Sequence, residues 1–157
     1  MTDTEQFDER EQRAWFGFLT MQEDLRRHIN RQLLEDSGLS LSDFSVLSAL
    51  VQQPDGALRV FELVSLLRWE RTRLIHQVSR MVSRELLERR PAAEDSRGSR
   101  VALTERGREA VRQATPLHLR DVRRTFFDAI SPRQIDMLAA LSEAVLDSIA
   151  DQERNNQ

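Results

Sequence analysis

Apolar positions return along this chain at two different periods. Over residues 9–34, Trp15, Phe18, Leu19, Met21, Leu25, Ile29 and Leu33 recur every three or four places, which predicts one long amphipathic helix. At about 1.5 Å per residue it runs to nearly 40 Å, more than one small core needs. Part of its apolar face therefore requires a further cover. Gly38 breaks the pattern. Ser40, followed three places later by Asp43, has the spacing of a capping box and opens a helix over about 41–53, with Phe44, Leu47, Leu50 and Val51 facing inward. Pro54-Asp55-Gly56 reads as a turn. A short extended piece at 58–60 and a brief helix at 61–67 follow.

The next helix, over about 70–85, divides its residues by chemistry. With Leu74 at the origin of a wheel of about 100° per residue, Leu74, Val78, Met81 and Val82 cluster on one side. Arg73, His76, Gln77, Arg80 and Arg84 are assigned to the other. A short helix followed by one with a basic outer stripe is a helix-turn-helix arrangement. Residues 86–90 and 100–104 have β character, and the stretch between them holds Pro, Asp, Ser and Gly. That combination predicts a hairpin with a long tip. Arg97 sits in the tip, so a basic β element follows a basic helix, as in a winged helix. Thr104 is placed to cap a helix reaching about 129, which Pro116 should bend or interrupt. Ser131, Pro132 and Gln134 open a last helix carrying Ile135, Leu138, Leu141, Val145 and Ile149 on one side. The expected fold is mainly α with a small β-wing: a winged helix-turn-helix joined to a helical region. The terminal helices expose more apolar surface than one small bundle hides. A second copy of the chain is the economical cover, so a homodimer is expected.

Apolar residues make up 39% and charged residues 31%, which suits a globular domain. The net charge of −3 would argue against a nucleic-acid binder if it were evenly spread. It is not: residues 59–100 hold ten arginines against six acids, net +4, between acidic flanks of −6 and −1. Screening limits the reach of charge to roughly 8–10 Å, so the local balance decides phosphate attraction. All 23 cations are arginine. A GC-rich coding bias explains that uniformity, so position, not residue type, carries the argument. The absence of cysteine excludes disulfides, thiolate metal sites and a cysteine switch. His28, His76 and His118 lack partners at ligand spacing, and no phosphate loop or nucleophile motif occurs, so neither a metal, a cofactor nor an enzyme activity is expected. The acidic, polar start, with no long apolar run, suggests a cytoplasmic protein.

Three stretches resemble the MarR family of winged helix-turn-helix transcriptional regulators over about residues 9–152. WERTRLIHQVSRM (69–81) looks like the recognition helix of an actinobacterial-type branch. LLERRPAAEDSRGSRVALTERG (86–107) resembles the family's wing, with a D-x-R signature at Asp95-Ser96-Arg97 and an L-T-x-x-G lead-in to the next helix. SGLSLSDFSVLSAL (37–50) resembles its second helix. Two positions depart: Glu85 stands where relatives often have glycine, and Phe61 lies where relatives often have a Ser or Thr cap. The resemblance implies one MarR-type domain over 1–157, with dimerisation helices at 9–35 and 104–152 and a DNA-binding part at 41–103. It also implies a repressor on a near-palindromic operator, released by a small, often aromatic, ligand.

Arg73, His76, Gln77 and Arg80 are the candidates for base edges, since arginine pairs with guanine and glutamine with adenine through two bonds each. Arg71 and Thr72, near the helix start, suit phosphates. A merely solvated basic face is the competing account of the stripe. Arg97 is the candidate for a minor-groove contact, oriented by Asp95; holding the hairpin tip to Asp95 is an alternative role, and the two are compatible. Trp15, Phe18 and Phe44 are candidates for an effector pocket, although core packing explains their spacing equally well. Two other functions stay open on the sequence: an architectural or non-specific DNA binder, and a protein-interaction module on a winged-helix scaffold.

Overall fold

Helix starts are set by local chemistry. In a computed structural model of the chain, residues 6–91 and 99–156 are described. Ser40 accepts from the Asp43 N–H while the Asp43 carboxylate accepts from the Ser40 N–H, and α2 (Leu41–Val51) begins there. Ser131 and Gln134 form the same reciprocal pair at the start of α6 (Pro132–Asn155). Asp8 and Glu11 do so for α1 (Glu9–Ser37), which ends at Gly38 with φ +70. Each such cap satisfies N–H groups that a helix leaves open.

Between α2 and α6 lie β1 (Ala57–Arg59), α3 (Val60–Leu67), α4 (Arg71–Ser83), β2 (Leu87–Pro91), β3 (Ser99–Leu103) and α5 (Glu105–Thr125). One turn of 3-10 helix follows at Phe127–Ala129. No Ser or Thr caps α3; instead Glu62 reaches back to the Arg59 N–H at 2.7 Å. The three strands form one antiparallel sheet in the order β1-β3-β2, with Leu58 opposite Val101 and Arg89 also opposite Val101. The expected hairpin is thus only two thirds of the sheet. The short extended piece pairs with the far strand, a contact that no local pattern announces.

The chain forms two compact units, Met1–His118 and Leu119–Gln157, with the division inside α5. The first unit has a closed core. Val46, Leu47 and Leu50 of α2, Leu63 of α3, Leu74, Val78 and Met81 of α4, Leu87, Val101 and Val111 are all fully buried. Side chains of this kind contribute about 1.5–3 kcal/mol each on burial. Val51, expected inside, is instead 37% exposed, and Val46 takes the inward place. On α1 only Leu33 is fully buried, with Ile29 packed beside it; Trp15, Phe18, Leu19 and Met21 remain open to solvent. In the second unit, α6 buries no residue completely and exposes Met137, Leu141, Val145, Leu146 and Ile149.

Of the two effects expected of Pro116, interruption does not occur: α5 continues past it to Thr125. A mid-helix proline costs about 3 kcal/mol through its missing N–H and ring clash. Val111 and Ala114, just before it, are buried in the core, and the Thr115 hydroxyl donates to the Val111 carbonyl at 2.7 Å. Those anchors hold the turn in which the proline sits.

Candidate nucleic-acid interface

The short α3 and the following α4 are joined by three residues, and the turn needs unusual backbone. Arg68 lies at φ 55, in the left-handed region, and the Trp69 N–H reaches back to the Val64 carbonyl at 3.3 Å. Trp69 packs against the core, and its ring carries the Arg73 guanidinium at 4.0 Å. Such a stack restrains the arginine. Arg73 also lies 3.5 Å from the Ser42 hydroxyl of α2.

α4 presents Arg71, Thr72, Arg73, His76 and Arg80 to solvent while Leu74, Val78 and Met81 face the core. Five of the six candidates on this helix are therefore exposed, Thr72, Arg73, His76 and Arg80 on one side and Arg71 at its first turn. Gln77 is not, and its assignment to base contact is corrected. It is 4% exposed, and its amide donates to the Asp43 carboxylate at 2.6 Å. At about 100° per residue Gln77 sits about 60° from Leu74, at the edge of the apolar arc, and the buried Asp43 carboxylate holds it inward. Its carbonyl end accepts from Arg80 at 2.6 Å.

Asp43 is the hub beneath this surface. It is 3% exposed, and its second oxygen accepts from Arg84 at 2.7 Å as well as from the Ser40 N–H. Arg84 also donates to the Gly38 carbonyl at 3.3 Å. Sequence reasoning saw Asp43 only as a cap and Arg84 only as part of a basic stripe. Their pairing spans 41 residues, and nothing local signals it.

Asp95 and Arg97, the wing-tip candidates, lie outside the described residues. The root of the wing is defined. Arg100 of β3 pairs with Asp55 at 2.7 Å and donates to the Ala57 carbonyl at 3.0 Å, tying the turn before β1 to the central strand. The bond from Arg100 holds the Asp55 carboxyl below its ordinary value, against an opposing desolvation. On β2, Arg89 is exposed and donates to Ser79 of α4 at 3.1 Å. It is a cation beside α4 that the sequence reading did not single out.

Two positions at the start of the wing explain the lead-in motif. Glu85 has φ 59, the conformation for which glycine is favoured. The Thr104 hydroxyl donates to the Glu85 carbonyl at 2.6 Å and accepts from the Gly107 N–H at 3.0 Å. At Gly107 an added Cβ would lie 2.0 Å from the Leu86 carbonyl oxygen. The L-T-x-x-G spacing is thus a clamp that seats the start of α5 on the segment between α4 and β2.

The aromatic candidates do not form one pocket wall. Trp15 and Phe18 have ring centroids 6.1 Å apart on α1 and are 47% and 42% exposed. Phe44 is 9% exposed, lies 4.5 Å from the His118 ring, and with Leu67, Ser48 and Gln52 lines a surface cleft of about 440 Å³. Neither Trp15 nor Phe18 belongs to that cleft. Among the described residues there is no group of His, Cys, Asp and Glu that could hold a metal, and no helix long and apolar enough to cross a membrane.

A short helix, a second helix with an exposed cationic face, and a three-stranded sheet whose hairpin follows that helix define a winged helix-turn-helix protein. Solved structures agree with this over nearly the whole chain. AbsC from Streptomyces coelicolor, a MarR family transcriptional regulator, matches with a TM-score of 0.88 and 28% identity, over 94% of this chain and 99% of its own. Sco3205 from the same organism, a MarR family regulator solved in complex with DNA, matches at 0.87 and 29%, over 92% and 94%. The organohalide-sensing regulator RdhR-CbdbA1625, solved with 2,4-dichlorophenol, shares the fold at 0.76 and 17%, over 92% and 87%. No family model and no curated protein sequence matches the chain. Over nearly its whole length the chain is thus similar in fold and sequence to MarR family transcriptional regulators.

Proposed function

We propose that this protein is a sequence-specific DNA-binding transcriptional regulator that acts as a homodimer on a near-palindromic operator. The observation that carries the reading is the exposed face of α4. Thr72, Arg73, His76 and Arg80 stand outward from a helix whose opposite side is locked into the core, and Arg71 is exposed at its first turn. In this reading residues 41–103 bind DNA. Arg73, His76 and Arg80 meet base edges in the major groove, Arg71 and Thr72 meet phosphates, and Arg97, braced by Asp95, reaches the minor groove. The complex of Sco3205 with DNA supports it.

Residues 9–35 and 104–152 pair two copies. The stripe on α6 supports this part: Met137, Leu141, Val145 and Ile149 recur along one side and are 46–60% exposed in the single chain. Such a row is costly to leave in water. Two subunits then set their α4 helices about one helical turn of DNA apart, with half-sites separated by ~10 bp. Occupying a promoter in this way represses it, and a small aromatic ligand releases the protein. The cleft beside Phe44 and His118 is the apolar cavity to test for that ligand, with Trp15 and Phe18 as further candidates.

The test is a mobility shift on the DNA flanking the coding sequence and on random duplex at one salt concentration. A clear preference for the flanking DNA is expected; equal binding would leave a non-specific binder. Arg73→Ala should relax preference at one operator position, whereas Arg71→Ala should weaken binding to all sequences alike. Log affinity should fall against log salt by about 0.9 per phosphate contacted.

A further inference from the structure

Arg80 is exposed, yet its guanidinium is bonded before any DNA arrives, through a chain of contacts that begins on a different helix. The Asp43 carboxylate of α2 is acceptor-only when ionised. It can therefore take only the N–H₂ end of the Gln77 amide, which it does at 2.6 Å. That choice turns the Gln77 carbonyl oxygen outward, where it accepts from Arg80 at 2.6 Å. The opposite amide orientation would face oxygen to oxygen at Asp43 and nitrogen to guanidinium at Arg80. Both Asp43 and Gln77 are buried, so water offers neither a ready substitute partner. Arg84 and the Ser40 N–H hold the carboxylate in place from its other oxygen.

We propose that Asp43 and Gln77 are positioning residues that orient Arg80, and so set the base preference at the operator position Arg80 reads without touching DNA themselves. The inference rests on the DNA-binding reading above. A long arginine loses rotamer freedom when it is fixed. The relay imposes that loss in the free protein, so less remains to be lost on binding, and wrong bases meet a fork already aimed.

The experiment selects bound sequences from a duplex pool randomised over the operator, using the full chain. Wild type, Gln77→Met, Asp43→Asn, Arg80→Ala and the Gln77→Met/Arg80→Ala pair are compared. Melting is recorded for each, and binding is measured well below the lowest midpoint. Gln77→Met and Asp43→Asn should flatten preference at the position that Arg80→Ala erases, by about three- to tenfold, the scale of one hydrogen bond. The double variant should match Arg80→Ala alone, because the relay acts only through that side chain.

The exchange Asp43→Asn/Gln77→Glu supplies the rescue. Asn at 43 donates to the new carboxylate at 77, which again offers Arg80 an oxygen, so preference at that position should return. An unchanged profile in Gln77→Met, or a loss spread evenly over all positions, overturns the relay. A wild-type protein that selects no sequence overturns the DNA-binding reading instead.

Discussion

Replacing Gly107 by alanine tests whether the lead-in to α5 is a close-packed clamp or merely a helix start. An alanine Cβ would stand 2.0 Å from the Leu86 carbonyl oxygen, 3.0 Å from its carbon and 3.4 Å from a Leu47 methyl. The nearest atoms are backbone, so no side-chain rotation relieves the clash. The start of α5 must retreat by about 1.5 Å to restore ordinary contact. That movement strains the Thr104 N–H bond to Leu86 at 3.3 Å and the Thr104 hydroxyl bond to Glu85 at 2.6 Å. Overpacking costs about 1–3 kcal/mol, and two weakened bonds cost about 1 kcal/mol each. Alanine's better helix propensity returns about 1 kcal/mol. The net expectation is a destabilisation of about 3 kcal/mol. Denaturant unfolding at fixed protein concentration reads it as a lowered midpoint with an unchanged slope. Gly17→Ala is the comparison: its Cβ meets nothing within 4 Å in the middle of α1, so the same substitution should gain about 1 kcal/mol there. If Gly107→Ala were as stable as wild type, the clamp would be refuted.

Glu85→Gly should stabilise the protein by about 1 kcal/mol in the same assay, because it removes a side chain from a left-handed residue and gives up only an exposed 3.6 Å ion pair with Arg106. Asp55, whose folded carboxyl is held below its ordinary value by Arg100, contributes stability above the usual carboxylate range and loses it as pH falls through the depressed value. The gap in unfolding midpoint between wild type and Asp55→Asn should therefore be present near neutrality and close in acid; a gap that widens in acid would contradict the pairing. Leu141→Glu, in the middle of the exposed stripe of α6, should convert a dimer into monomers in sedimentation without lowering helix content. A dimer unchanged by that substitution places the interface elsewhere.

The local chemistry of the chain determined where most helices begin. Ser40 with Asp43 and Ser131 with Gln134 are three residues apart, so the caps form from neighbours alone. The period of Leu74, Val78 and Met81 likewise fixed which side of α4 is buried, since a helix repeats without reference to the rest of the fold. The tertiary structure decided what depends on distant partners. Gln77 lies at the edge of the apolar arc, and whether it faces a base or a carboxylate was settled by Asp43, 34 residues away. β1 became the third strand only because β3 arrived beside it. Pro116 was tolerated because the core grips Val111 and Ala114. Gly107 was required because the Leu86 carbonyl passes within reach of its α-carbon. Spacing within one or two turns is written along the chain, whereas contact between segments exists only after the core has brought them together.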